Sequence, residues 1–268
     1  MPVVRGWKAC CQAGIAKLAT KALRRNLKIT LAYDGTRFVG WQRQADGESI
    51  QGWLEDTLAR FEGAPLTVHG AGRTDAGVHA LGQVASVSVT FTHPAETIVR
   101  ALNAQLPEEI RIIDVVEAPA DFHARFSARS KTYRYQLRAG GVADPFTRAY
   151  TWQMPETLDV EAMRAAASML VGTHDFAAFQ SVGTETSTSV RTISRSEFTA
   201  EGAAARYEVA GDGFLRHMVR AVVGTLVEIG RGWRSAGSMA ELLTSGSRAE
   251  AGATAPPHGL FLVRVDYD

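Results

Sequence analysis

Apolar and polar residues first alternate at Leu27, Ile29, Leu31 and Tyr33, set against Lys28, Thr30 and Ala32, which is the period of a half-buried strand. The run stops at Asp34-Gly35, a turn signal. Behind Ser49, a suitable N-cap, Ile50, Trp53, Leu54, Leu58 and Phe61 fall on one helical face, so 50–61 is expected to be a packing helix. Ala85, Val87, Val89 and Phe91 alternate again as a second strand. A helix over 96–106 stopped by Pro107 and a third strand over 110–116 follow. Tyr133, Tyr135 and Leu137 mark a further strand, and Gly140, Gly141 and Asp144-Pro145 break the chain before a helix over 160–171. Glu201-Gly202 divides strands at 193–199 and 205–210, a hairpin by its turn chemistry. Leu215, Met218, Val219, Val222, Leu226 and Ile229 form one buried helical face with Gly230 as its C-cap, and Arg216 and Arg220 lie one turn apart on the other, beside His217.

Strands with helices to one side predict an α+β fold. Two similar subdomains, 26–121 and 122–268, are expected, their antiparallel or mixed sheets meeting at a central basic cleft. Residues 1–25 carry Arg5, Lys8, Lys17, Lys21, Arg24 and Arg25 and no acidic residue. Such a segment suits a poorly ordered extension, and it can also resemble a transit peptide or a basic RNA-touching arm.

Composition narrows the class. A hydrophobic fraction of 46% with 21% charged residues is that of an ordinary globular chain rather than a disordered one. The formal net charge of +1 announces no polyanion partner, so any nucleic-acid surface must come from local clustering of arginine and lysine. Cys10 and Cys11 are adjacent, which suits neither a disulfide framework nor a zinc site and points to a reducing cytoplasm. No apolar run approaches the roughly 18 residues of a membrane span.

The chemistry concentrates in residues 69–84, HGAGRTDAGVHALGQV, where glycines at 70, 72, 77 and 82 shape a loop between two apolar runs. Asp75 stands where the third glycine of a dinucleotide fingerprint is needed. Val78 and His79 replace the lysine and hydroxyl of a P-loop. What remains is Asp75 two residues from Arg73, with alternate side chains sharing a face and a cation able to keep the carboxylate ionised. An ionised carboxylate serves as nucleophile or base; an Arg/Asp-stabilised turn is the other reading, which local chemistry alone favours. His174 and Asp175 have no further ligand at metal spacing and read as structural or RNA-facing. Trp41 could pack on bases or riboses, though a Trp near a strand end is more often core, and Tyr133 reads as core.

GRTDAGVHA closely resembles the active-site signature of the TruA family of tRNA pseudouridine synthases, and further motifs agree in order: YDGTRFVGWQRQ, ALNAQLP, FHARFSA before a Tyr-x-Tyr strand, GTHDFAAF, FLRHMVR and the closing strand APPHGLFLVRVDY. The resemblance spans residues 26–268. It implies a pseudouridine synthase fold and isomerisation of uridine at tRNA positions 38, 39 and 40 without cofactor or metal. It also implies a homodimer whose subunits both touch the tRNA anticodon arm. Carried onto this sequence, Asp75 is the catalytic carboxylate, Tyr133 stacks on the target uracil, Arg73 props the space the base vacates, Arg220 pairs with Asp75, and Leu260 walls the uracil pocket. A non-catalytic RNA-binding protein and an unrelated Asp-dependent hydrolase are the alternatives. The presence of Asp75 argues against the first, and the lack of a clear second carboxylate or metal set argues against the second.

Overall fold

β1 (Arg25–Tyr33) buries Leu27, Ile29, Leu31 and Tyr33, the alternating residues of the sequence. The computed structural model describes residues 24–181, 183 and 186–268. Cys10, Cys11 and most of the basic N-terminal segment lie outside the described residues. Arg25, counted with that segment above, is the first residue of β1 and forms an ion pair with Glu117.

The chain continues through α1 (Ile50–Glu62), β2 (His69–Gly70), β3 (His79–Val89), α2 (Ala95–Gln105) and β4 (Ile110–Ala118). Then come β5 (Ser130–Ala139), β6 (Trp152–Met154), α3 (Val160–Ser168), β7 (Gly172–Asp175), β8 (Val190–Glu201) and β9 (Ala204–Gly211). α4 (Met218–Gly230), α5 (Ser238–Ser245) and β10 (Leu260–Asp266) complete it. Ser49 caps α1 by accepting from the Gly52 amide.

The strands form one sheet in the order β4-β1-β3-β10-β5-β9-β8-β7, with β2 on β3 and β6 on β5. Neighbours are antiparallel except β3/β10 and β5/β6. The two expected sheets are therefore continuous, and β10 joins them: it pairs with β3 through Phe261–His79 and with β5 through Leu262–Tyr133. α2 packs on β4, and α3 packs on β8 and on α4, so each end of the sheet carries its own helical cover.

Two details of α4 differ from the sequence reading. Arg216 is not on the helix, because His217 adopts a left-handed conformation (φ 64°) and α4 starts only at Met218. Gly230 is not the left-handed cap; that conformation belongs to Gly232 (φ 73°). At Gly230 a β-carbon would sit 2.6 Å from the Met163 sulfur, so its smallness serves the approach of α3. α4 is fixed from its other side as well. At Gly224 a β-carbon would fall 1.6 Å from the Ala253 carbonyl oxygen, the Gly252 amide donates to Thr225 Oγ1 at 2.9 Å, and the Ala253 amide donates to Glu228.

Candidate active site

Asp75 lies in the loop between β2 and β3, beside the point where β10 meets β3. Backbone and buried polar groups hold that loop from beneath. The Ala71 amide donates to Val84 O (2.8 Å), the Trp41 amide to Thr74 O (3.0 Å) and the Val78 amide to Asp75 O (3.2 Å). Tyr33 Oη shares a 2.8 Å hydrogen bond with Thr74 Oγ1, and Gln83 Nε2 donates to Gly72 O at 2.9 Å. Gln83 has no solvent exposure, so breaking this bond would leave its buried amide only the 3.4 Å contact with Tyr33 Oη, at a cost of about 1–3 kcal/mol. Gly40 (φ 107°) passes so close below that a β-carbon would meet Thr74 O at 2.6 Å. Trp41, 2% exposed, is core, where its indole fills the space above Gly70.

The carboxylate of Asp75 is held by Arg220, whose Nη1 lies 3.0 Å from Oδ2. Arg220 is itself anchored: Nε donates to Ala255 O at 2.8 Å and its carbonyl accepts from the Ala255 amide. His217 Nε2 comes within 3.4 Å of the same Oδ2. Burial holds the His217 pKa below the ordinary histidine value; Asp75 opposes that shift, while Arg220, Arg216 and Arg248 add to it. Burial and three guanidinium groups outweigh one carboxylate, so this imidazole is neutral at neutral pH.

Arg73 is exposed and makes no ion pair among the described residues, so proximity in sequence misled: the cation on Asp75 is Arg220, 145 positions away. Tyr133, 8% exposed, packs edge-on against Phe214 with ring centroids 4.9 Å apart. Burial first, then Tyr33 and Asp75, push its phenol pKa well above the usual value, so it stays neutral. Leu260 is 5% exposed and pairs in register with Tyr135, which puts it on the sheet face that carries Tyr133 and Leu262. The stem of Lys131 lies over Gly72; burial and Arg125 lower its pKa, against Asp212.

A recess of about 490 Å³ is lined among others by Asn26, Glu62, His69, Ser86 and His123 and does not include Asp75. The carboxylate instead sits at a partly open surface, its side chain 28% exposed. Among the described residues no group of three or more His, Cys, Asp or Glu could hold a metal ion. His174 and Asp175 serve locally: His174 Nε2 lies 3.1 Å from Val171 O, and Asp175 caps Ala177. No helix among the described residues is long and apolar enough to cross a membrane.

The sequence reading missed Gln83, Lys131 and Phe214 and noted His217 only as a neighbour. Gln83 and Lys131 carry no local signal. Nor did anything mark His217, because Leu215 continues the helical apolar spacing across it.

A carboxylate on a glycine-shaped loop, fixed by a buried network and an anchored arginine at the seam of a mixed sheet, makes this an α+β protein with a carboxylate-centred candidate site. A family profile described as tRNA pseudouridine synthase matches residues 29–127 and 166–268. Over 242 residues the chain is 47% identical to tRNA pseudouridine synthase A of Myxococcus xanthus, covering 90% of this chain and 91% of that one. Against the same-named proteins of Geotalea uraniireducens and Geobacillus sp. it is 44% identical over 243 and 247 residues, covering 91% and 92% of this chain and 100% of each relative. The chain belongs to the tRNA pseudouridine synthase family, isomerases that act on uridine in tRNA.

Proposed function

We propose that this enzyme converts uridine to pseudouridine at positions 38, 39 and 40 of the tRNA anticodon arm, with Asp75 as its catalytic carboxylate. The observation that carries the reading is the Asp75–Arg220 pair, which keeps a positioned anion at the loop where Tyr133 and Gly72 converge. The reaction breaks the N1–C1′ bond, joins C5 to C1′, releases the C5 proton and protonates N1, so it needs no external group and no redox partner. Asp75 acts by attacking C1′ or by removing the C2′ proton.

A paired uridine cannot reach Asp75 inside a stem, so it leaves the stack at a cost of a few kcal/mol, offset by stacking on Tyr133 and by phosphate contacts. Arg73, exposed beside Asp75, fills the vacated space, and Leu260 walls the uracil. Arg216, Arg248 and Lys131 supply the local positive charge that a net charge of +1 leaves unannounced. The chain is read as two subdomains, 26–121 and 122–268, with the substrate cleft between them, working in the cytoplasm as a homodimer in which each tRNA touches both subunits.

The test is tritium release from tRNA carrying 5-tritiated uridine. Wild-type protein is expected to release tritium, and Asp75→Asn to release none while binding tRNA within a few-fold of wild type by filter binding. An amide keeps the shape but is neither nucleophile nor useful base. Turnover by the variant would remove Asp75 from the role.

A further inference from the structure

His217 is the only non-glycine residue with positive φ among the described residues. A histidine in that conformation carries strain that glycine would not, and it heads α4 without capping it by a side-chain hydrogen bond. Its neighbours hold it there. The Arg216 carbonyl accepts from the Ser181 amide at 3.2 Å, and the His217 carbonyl accepts from the Ala221 amide at 2.9 Å. The conformation places the ring 3.4 Å from Oδ2 of Asp75, the oxygen that Arg220 already holds. Among the described residues no hydrogen bond reaches Oδ1 of Asp75. One carboxylate oxygen is thus approached by two nitrogens while the other is left free.

Resting on the reading of Asp75 as catalytic carboxylate, we infer that His217 is a positioning residue: with Arg220 it fixes Oδ2, so that Oδ1 is the oxygen presented to the ribose. In this role the neutral imidazole carries its proton on Nε2, and its 3.4 Å approach to Oδ2 becomes a donated hydrogen bond when RNA fills the site. Two holds on one oxygen fix the rotation of the carboxylate about its Cβ–Cγ bond, which a single guanidinium bond leaves partly free. The strained backbone is the means of aiming the ring.

The experiment compares His217→Gly and His217→Gln with wild type and Asp75→Asn, using tRNA with 5-tritiated uridine under single-turnover conditions, filter binding and thermal unfolding. Glycine suits φ 64° without strain, so His217→Gly is expected to melt no lower than wild type and to bind tRNA within a few-fold. Its single-turnover rate is expected to fall roughly tenfold to a hundredfold, the usual scale for a misplaced catalytic group. Gln, whose amide nitrogen reaches about as far as Nε2, should restore part of the rate. A wild-type rate in His217→Gly overturns the proposal. So does a rate loss matched by a lower melting temperature and not eased in His217→Gln. Should the glycine variant fail to fold, His217→Gln decides alone, because a positioning role requires it to keep substantial activity. Asp75→Asn separates the two readings: turnover there removes Asp75 itself, whereas its loss alongside full activity in His217→Gly removes only His217.

Discussion

Replacing Arg220 by methionine keeps the aliphatic stem and leaves Asp75, 28% exposed, without its guanidinium. The carboxylate loses the group that holds Oδ2 in place, so the single-turnover rate is expected to fall roughly tenfold or more while tRNA binding stays within a few-fold of wild type. Single-turnover rates and filter binding at several salt concentrations check this. An unchanged rate with weaker, less salt-sensitive tRNA binding would assign Arg220 to the RNA backbone instead. Tyr133→Phe should lose less activity than Tyr133→Leu, because phenylalanine keeps both the edge contact with Phe214 and a face for the uracil, worth ~1–3 kcal/mol. Equal losses in single-turnover rate would mean the hydroxyl takes part in the chemistry. At this scale the sequence offered the loop and its carboxylate but not its partner. Arg73 looked like the counter-ion because it is near in sequence, and Arg220 could be named only through the family motif.

The segment 252–255 locks α4 and so sets the position of Arg220. In Gly224→Ala the new methyl would overlap the Ala253 carbonyl oxygen, and since both lie in packed backbone, something must shift. Destabilisation of about 1–3 kcal/mol is expected, with lost activity because Arg220 stands one turn earlier on the same helix. Thermal unfolding and single-turnover rates check both, and an unchanged melting temperature would show that the segment yields. β1, α1, α2 and the β8/β9 hairpin were legible because period and turn chemistry are local. The start of α4 was not: Leu215 continues the apolar spacing, yet His217 turns the backbone left-handed. Gly230 looked like a cap by position, while the reason for it, the Met163 sulfur, lies on another helix.

Across the whole molecule, the seam between β3 and β10 also carries a pH response. His79, 1% exposed, accepts from the Gly35 amide and stacks on Phe261. Burial lowers its pKa from 6.5, outweighing the attraction of Asp34, so the unfolded chain binds the proton more readily than the folded one. This contribution is complete above about pH 6.5 and is lost as pH falls through the lower folded value. Urea midpoints measured at about pH 7.5 and about pH 5.5 should therefore differ more for wild type than for His79→Gln, and equal differences would remove His79 as the cause. That the halves share one sheet could not be read from the pattern, because Phe261 and His79 are far apart in sequence and a strand's alternation does not name its neighbour. This pairing also orders events during synthesis. When the ribosome has finished β3, β2 is already there to cover Ala85 and Ser86, but the strand that will pair with His79 and Ala80 has not yet been made, and translation must pass through β5, β9 and α4 before β10 arrives. Until then the start of β3 offers unpaired backbone groups to any other extended chain.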